Sequence, residues 1–242
     1  MGRPESPLTG PPRRIALAAH LREMRDLAGI TYAEMALHPL LIPEATLKRT
    51  ASDRGGVPRW HRVEEYRDIC IDLADKEVSW KVMTHGMQLR TLWVAARMEE
   101  RGTLHLPRPR PQFVVDQADL SHALYSLYEH QGAPPLRELQ ELAGGAVHLP
   151  LTTAARVVKR QTLPADEKQY TAFLRGCRVH DRRQPDWFRA WEKVVLSKHR
   201  HTAPMDEWSD EHRHTALTGK QFIEELFSRK PARFTIQSQH AI

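Results

Sequence analysis

The sequence predicts an all-α fold in which two similar helical units follow one another and a tail completes the chain. Apolar residues recur every three to four positions, the spacing that places side chains on one side of an α-helix. Residues 15–80 also match residues 118–187 in order and spacing, with an offset that drifts only from 103 to 107. The matched pairs are Leu17 with Leu120, Leu21 with Leu124, Gly29 with Gly132, Glu34 with Glu138, Pro43 with Pro150, Thr46 with Thr153, Pro58 with Pro164, Cys70 with Cys177 and Trp80 with Trp187.

The first unit is expected over residues 13–100, after a disordered arm at residues 1–12. Its first helix ends at Gly29, a residue that accepts the positive φ angle found at helix C-termini. Thr31 and Glu34 have the spacing of a capping box, in which each side chain bonds the other residue's backbone amide, so a second helix follows directly. The apolar stripe of the first helix comprises Leu17, Leu21, Met24 and Leu27.

The third helix begins at Pro43, because proline is tolerated in the first turn of a helix, and it extends to about Ser52. A turn at residues 53–56 separates it from a fourth helix that begins at Pro58. The apolar face of the fourth helix comprises Val63, Tyr66, Ile69 and Cys70. Residues 77–99 are predicted to form one long amphipathic helix. Its apolar residues are Trp80, Met83, Leu89, Leu92, Trp93 and Ala96.

A linker is predicted at residues 101–113, where alternating prolines favour an extended polyproline-type spacer. The second unit, residues 114–197, repeats the plan of the first, with Gly132 at the end of its first helix and Pro150 at the start of its third. Two prolines at residues 134–135 replace the threonine cap. The successive apolar faces are Leu120, Leu124 and Leu127; Leu136, Leu139 and Leu142; Ala154, Val157 and Val158; Tyr170, Phe173, Leu174 and Cys177; and Trp187, Trp191 and Val194.

The tail, residues 198–242, contains a second capping-box pattern at Thr218 and Gln221. The helix that follows has a short apolar face made of Phe222, Ile223, Leu226 and Phe227. This face is too large to leave in water on a short helix, so it packs either on the second unit or across a two-fold axis. A homodimer is the preferred interpretation, because two-fold pairing is the commonest assembly.

Composition limits the classes of function. The 242 residues carry a net charge of +6 with a pI of about 9.5, which favours an acidic partner such as nucleic acid. The two cysteines are expected to be small buried thiols. No segment has the apolar core of a signal peptide or approaches the ~18 apolar residues of a membrane span. A cytoplasmic location without membrane contact is therefore expected.

Motifs typical of enzymes are absent from the sequence. Acidic residues are scattered, and neither a phosphate-binding glycine loop nor a Gly-x-Ser-x-Gly elbow occurs. We therefore expect a protein that is not an enzyme and needs no cofactor. Two His-x-His pairs, at residues 199–201 and 212–214, lack the cysteine or carboxylate that would complete a metal site, so a flexible polar tail is favoured over metal binding.

The segments HLREMRDLAGITYAEMA, IPEATLKRTASDRGGVPRW and EEYRDIC resemble the Cro/repressor-type helix-turn-helix family, in the form common in actinobacterial regulators. The resemblance covers residues 15–75 well and residues 118–190 more loosely. It implies a small five-helix DNA-binding domain in each unit. HPLLIP stands where the family has a shorter turn containing glycine, which leaves the angle between the second and third helices open.

The third helix of each unit would enter the major groove with one side while its other side stays on its own domain. In the first unit Leu47 and Ala51 face inward, and in the second Ala154 and Val158 do. The outward positions are Glu44, Ala45, Lys48 and Arg49, then Leu151, Thr152, Ala155, Arg156 and Lys159. Arginine and lysine donate to guanine, and glutamate accepts from cytosine. The flanking cations expected on phosphates are Arg54, Arg59, Arg62 and Arg160.

The leading hypothesis is a sequence-specific protein for double-stranded DNA, a repressor-type transcriptional regulator that reads two adjacent half-sites. One alternative is an accessory DNA-binding protein for plasmid, phage or DNA-end maintenance. Another is a protein-interaction adaptor that uses a degenerate second repeat. RNA binding is disfavoured, because no aromatic stacking platform on a sheet is evident.

Overall fold

The computed structural model describes the backbone of residues 5–202 and the side chains of residues 5–196. All regular structure in this part of the chain is helical, which confirms the all-α prediction. The chain divides into two compact units, Met1–Val194 and Val195–Ile242, and the first unit contains nearly all of both predicted repeats. None of the helices among the described residues is both long and apolar enough to cross a membrane. The predicted tail helix lies outside the described residues.

Each predicted repeat corresponds to a series of short helices. Residues 12–100 form α1 (Pro12–Ala28), α2 (Tyr32–Ala36), α3 (Glu44–Thr50), α4 (Trp60–Leu73), α5 (Lys76–Gly86) and α6 (Leu89–Glu100). Residues 117–202 form α7 (Gln117–His130), α8 (Leu136–Leu142), α9 (Leu151–Val158), α10 (Glu167–Gly176) and α11 (Gln184–Thr202). In the first repeat α1 packs against α4, α5 and α6, while α3 packs against α2 and α4. In the second, α9 packs against α7 and α8, and α10 packs against α8.

The local signals that mark helix ends are confirmed. Gly29 ends α1 with a φ of +69°. The Thr31 hydroxyl accepts from the Glu34 amide at 3.3 Å, and the Glu34 carboxylate accepts from the Thr31 amide at 2.7 Å. Pro43 and Pro150 directly precede α3 and α9 with nearly identical backbone angles, φ −57° with ψ 139° and φ −57° with ψ 142°. The two third helices therefore begin in the same way.

Several apolar positions matched by the repeat are equally buried. The following residues are fully buried: Leu17, Leu21, Met35 and Cys70 in the first repeat, and Leu120, Leu124, Leu139 and Cys177 in the second. The last matched pair differs, because Trp80 is 58% exposed and Trp187 only 3% exposed. Burial is thus shared at apolar core positions, whereas other matched positions differ: Gly29 is exposed and Gly132 buried, and Pro58 is half-buried and Pro164 buried.

The single long helix expected over residues 77–99 is wrong. The structure contains two helices there, α5 and α6, and the chain bends just after Gly86. Gly86 is buried against side chains of α1 and α4, where a Cβ atom would lie 3.3–3.4 Å from them. The face of α5 is therefore rotated from the predicted one: Val82 is buried, whereas Trp80 and Met83 are exposed.

Residues 5–11, expected to belong to a disordered arm, contact the first repeat. The Asp53 carboxylate accepts hydrogen bonds from the backbone amides of Thr9 and Gly10, the latter at 2.5 Å. Glu5 forms an ion pair with Arg22 at 2.9 Å. The arm is thereby attached to α1 and to the segment that follows α3.

Three arginines on α6 or directly after it connect the two repeats. We call the contacts of Arg90, Arg97 and Arg101 with residues 129–132 the α6–α7 junction. Arg90 and Arg97 of α6 donate to backbone carbonyls just after α7, at 2.9 and 3.2 Å. Arg101 donates twice to the carboxylate of Glu129, at 2.6 and 2.8 Å, and the Glu129 side chain is fully buried. Residues 101–113, expected to be a plain spacer, thus begin with a buried ionic contact.

Candidate nucleic-acid interface

The third helix of the first repeat, α3, has one buried side and one exposed side, as a helix that reads the major groove needs. Leu47 is 1% exposed and packs inward, followed by the fully buried Ala51. On the opposite side Ala45, Lys48 and Arg49 are exposed, and Glu44 is half-buried. The structure therefore places the four predicted base-reading positions of the first repeat together, on the side of α3 that faces away from the core.

Two arginines of α1 hold the C-terminal end of α3. Arg14 donates to the carbonyl oxygens of Arg49 and Thr50, at 3.5 and 3.3 Å, and Arg22 donates to the carbonyl oxygen of Ala51 at 3.0 Å. The last carbonyls of a helix lack partners within it, and cations are favoured there. These contacts fix the orientation of α3 on its domain.

Sequence reasoning missed both of these arginines. Arg14 is only 3% exposed, and burial lowers its pKa to about 10. A signal was present in the sequence: Arg14 lies three residues before Leu17, within the apolar stripe of α1. An arginine on a buried stripe indicates that its guanidinium group has partners inside the fold.

Two of the predicted cations of the first repeat are engaged in ion pairs. Lys48 pairs with Glu44 at 2.5 Å, and Arg62 pairs with Glu65 at 2.8 Å. Of the predicted cations, Arg49, Arg54 and Arg59 are exposed and form no ion pair with the described residues. These three are the ones available for phosphate contacts without breaking an existing pair.

The third helix of the second repeat, α9, also has a buried and an exposed side, but one residue differs from the prediction. Ala154 and Val157 are the buried residues, at 0% and 1% exposure, whereas Val158, expected to face inward, is half-buried. Ala154 and Val157 define the side of α9 that packs against α7 and α8, and Val158 lies at the edge of that side. Of the residues predicted to face outward, Thr152, Arg156 and Lys159 are exposed, whereas Leu151 and Ala155 are half-buried; the flanking Arg160 is also exposed.

The connections that precede α3 and α9 are long and have a similar pattern of buried and exposed residues. Each has a buried aliphatic residue just before the helix, Ile42 at 4% and Leu149 at 0% exposure. Each also has highly exposed aliphatic side chains: Leu37 at 83%, Leu41 at 77% and Val147 at 93%. The segment HPLLIP is thus a loop anchored by one inward side chain. The connection before α9 is of similar length, residues 143–150 against residues 37–43.

One group of described residues has ligand types that a metal could use. Atoms of His20, Glu23 and His85 lie within 4.8 Å of one another. However, the two imidazole rings stack at 3.7 Å with 13° between their planes, and His20 Nε2 contacts the His85 carbonyl oxygen at 2.8 Å. Because the ring planes are nearly parallel, their lone pairs do not converge on one point, as a tetrahedral zinc site requires. The group packs α1 against α5.

No protein-family model, curated protein or solved structure matches this chain. The residues and their arrangement are therefore the only basis for inferring its function.

Proposed function

We propose that this protein binds double-stranded DNA with sequence specificity and regulates transcription as a repressor, reading two adjacent half-sites through α3 and α9. The observation that carries the proposal is the division of α3: Leu47 and Ala51 are buried while Lys48 and Arg49 point into solvent. The proposal includes a cytoplasmic location, no cofactor and no catalytic activity.

In the first repeat the exposed side of α3 supplies donors and one acceptor for base edges. Lys48 and Arg49 would donate to guanine O6 and N7, and Glu44 would accept from the cytosine amino group. Arg54 and Arg59 follow α3 and would contact phosphates, which set the register on the duplex without reading its sequence.

In the second repeat α9 presents smaller groups together with cations that are not paired. Thr152 and Ala155 would contact a thymine methyl group or a phosphate. Arg156, Lys159 and Arg160 form no ion pair with the described residues, so they would be available to phosphates or guanine.

Selection of bound sequences from random duplexes, at two salt concentrations, tests the proposal. We expect a motif with two half-sites. A salt-dependent affinity without any motif would instead favour the alternative of an accessory protein that binds DNA shape.

Variants locate the reading surface. Lys48→Ala and Arg49→Ala should each weaken binding to the selected site by about 1–3 kcal/mol. Arg59→Ala should weaken binding to all sequences alike. Lys76→Ala on α5, also an exposed lysine, is the matched control and should bind normally. Unchanged binding by the Lys48/Arg49 double variant would contradict the assignment to α3.

A second candidate function, an adaptor that binds another protein, is favoured by one observation. Leu37, Leu41 and Val147 expose aliphatic side chains in the loops before both third helices. Replacing Leu41 and Val147 by Ser should leave DNA affinity unchanged under the leading proposal. If the unmodified chain shows no DNA affinity at low salt, the adaptor becomes the better explanation.

We also propose that the tail makes the protein a homodimer, an inference that rests on sequence residues 222–227. Light scattering of the full chain and of a chain lacking residues 218–242 tests it. A full chain that is monomeric at micromolar concentration, with and without DNA, would exclude the dimer.

A further inference from the structure

A cavity of about 590 Å³ lies between the linker, the C-terminal end of α7 and the segment that precedes α11. Its charged lining residues are Arg110, Arg178, His180, Arg182, Arg183 and Asp186. The carboxylate of Asp186 is 3.1 Å from Arg189, so it is already paired. The guanidinium groups of the other four arginines make no ion pair or hydrogen bond with any residue between 5 and 196.

Positive charge exceeds negative charge around this cavity, because four arginines line it and Asp186 is the only carboxylate in the lining. Burial, together with the charge of Arg178, lowers the pKa of Arg90 to about 10, although Glu138 and Glu64 act in the opposite direction. Arg90 itself donates to the carbonyl oxygen of Gln131, which also lines the cavity. Like charges gathered in a concave site with few counter-ions attract anions.

We propose that this cavity binds a small ligand that carries two or more phosphate groups, at a site separate from α3 and α9. Guanidinium groups bond phosphate oxygens in a bidentate geometry, and four of them exceed what one phosphate needs. The volume lies within the range of small-molecule sites. Leu127 and Val179 add apolar wall for the organic part of the ligand.

The cavity adjoins the α6–α7 junction. Gln131 contributes to the cavity and accepts the hydrogen bond from Arg90 of α6. A ligand held by Arg178 would also offset the repulsion between Arg178 and Arg90. We therefore expect the bound ligand to raise the melting temperature of the unit that contains both repeats.

Isothermal titration calorimetry of the full chain without DNA tests the proposal, with ATP and tripolyphosphate as probes and sodium sulfate at equal ionic strength as reference. Both probes should bind, and sulfate should not. The double variant Arg178→Gln with Arg182→Gln should bind them about a hundredfold more weakly, since each lost charge-assisted bond costs on the order of tenfold. Arg13→Gln, an exposed arginine of α1, is the matched control and should bind like the unmodified chain.

The outcomes separate the sources of phosphate. Absence of binding by both probes at millimolar concentration overturns the proposal, as does equal binding by the double variant. If the double variant weakens DNA binding while neither probe binds, the cavity is a contact for the DNA backbone and the small-ligand assignment is wrong. Arg183→Gln supplies a second, independent variant, and circular dichroism verifies that each variant remains helical.

Discussion

Replacing Gly132 by Ala should destabilise the protein through one identifiable contact. Gly132 follows α7 with a φ of +83°, and a Cβ atom there would lie 2.1 Å from Cζ3 of Trp93 on α6. Trp93 cannot move aside easily: it is 3% exposed, and its Nε1 donates to the carbonyl oxygen of Pro58 at 2.7 Å. The left-handed backbone costs a non-glycine residue about 1–2 kcal/mol, and the overpacking adds about 1–3 kcal/mol.

The equivalent glycine of the first repeat is the natural control. Gly29 has a φ of +69°, and a Cβ atom added to it would meet nothing within 4 Å. Gly29→Ala therefore carries only the backbone cost, about 1–2 kcal/mol. Urea denaturation should show Gly132→Ala to be the less stable variant by at least about 1 kcal/mol. Equal losses in the two variants would refute the packing of Trp93 on Gly132, and with it the α6–α7 junction.

Three further predictions concern buried groups. Burial lowers the pKa of His20 below its ordinary value near 6.5. The free energy of unfolding should therefore fall as the pH drops below about 6.5, and the urea midpoint of His20→Gln should not show this pH dependence. Burial raises the pKa of Cys70 to about 12 and that of Cys177 further still, so a thiol reagent should label neither in the folded protein and both in denaturant. Glu129→Gln should lower the free energy of unfolding measured by calorimetry by about 1–2 kcal/mol, because it weakens a buried hydrogen bond to a charged group. Asp186→Asn removes an exposed ion pair and should lower it by under about 0.5 kcal/mol.

The features that could be predicted from sequence are those decided within one turn of a helix or by its apolar stripe. Gly29 and the Thr31–Glu34 capping box act through neighbouring backbone atoms, so their spacing is sufficient to identify them. The burial of Leu21 and Leu124 follows from the stripe alone. On α3 and α9 the same periodicity predicts the exposure of Lys48, Arg49, Arg156 and Lys159, whereas Glu44, Leu151 and Ala155 are half-buried.

What could not be predicted depends on contacts between distant segments. Gly86, the last residue of α5, packs against side chains of α1 and α4, which are distant from it in sequence. The prolines of the linker favour a spacer, but Arg101 has its partner, Glu129, on α7. The partners of Arg14 are carbonyls of another helix, so its local sequence does not identify them.

The two third helices differ in how their charge is compensated, and this bears on whether the second repeat binds DNA. The first repeat retains three exposed cations without ion pairs, because Lys48 and Arg62 are engaged by Glu44 and Glu65. On α9 and just after it, Arg156, Lys159 and Arg160 are likewise exposed, and no acidic residue lies within the helix. The second repeat lacks the threonine cap of the first, but the cations on α9 and just after it are still exposed and unpaired.

The salt dependence of DNA binding gives a quantitative test of the second repeat. Each phosphate contact contributes about 0.9 to the slope of log affinity against log salt. Two contacts from the first repeat (Arg54 and Arg59) and three from the second (Arg156, Lys159 and Arg160) give a slope of about −4.5 for the whole chain and about −1.8 for the first repeat alone. The triple variant Arg156→Gln, Lys159→Gln, Arg160→Gln should therefore reduce the slope measured on the selected duplex to about −1.8. A slope of about −1.8 in the unmodified chain, unaltered by the triple variant, would mean that the first repeat binds DNA alone.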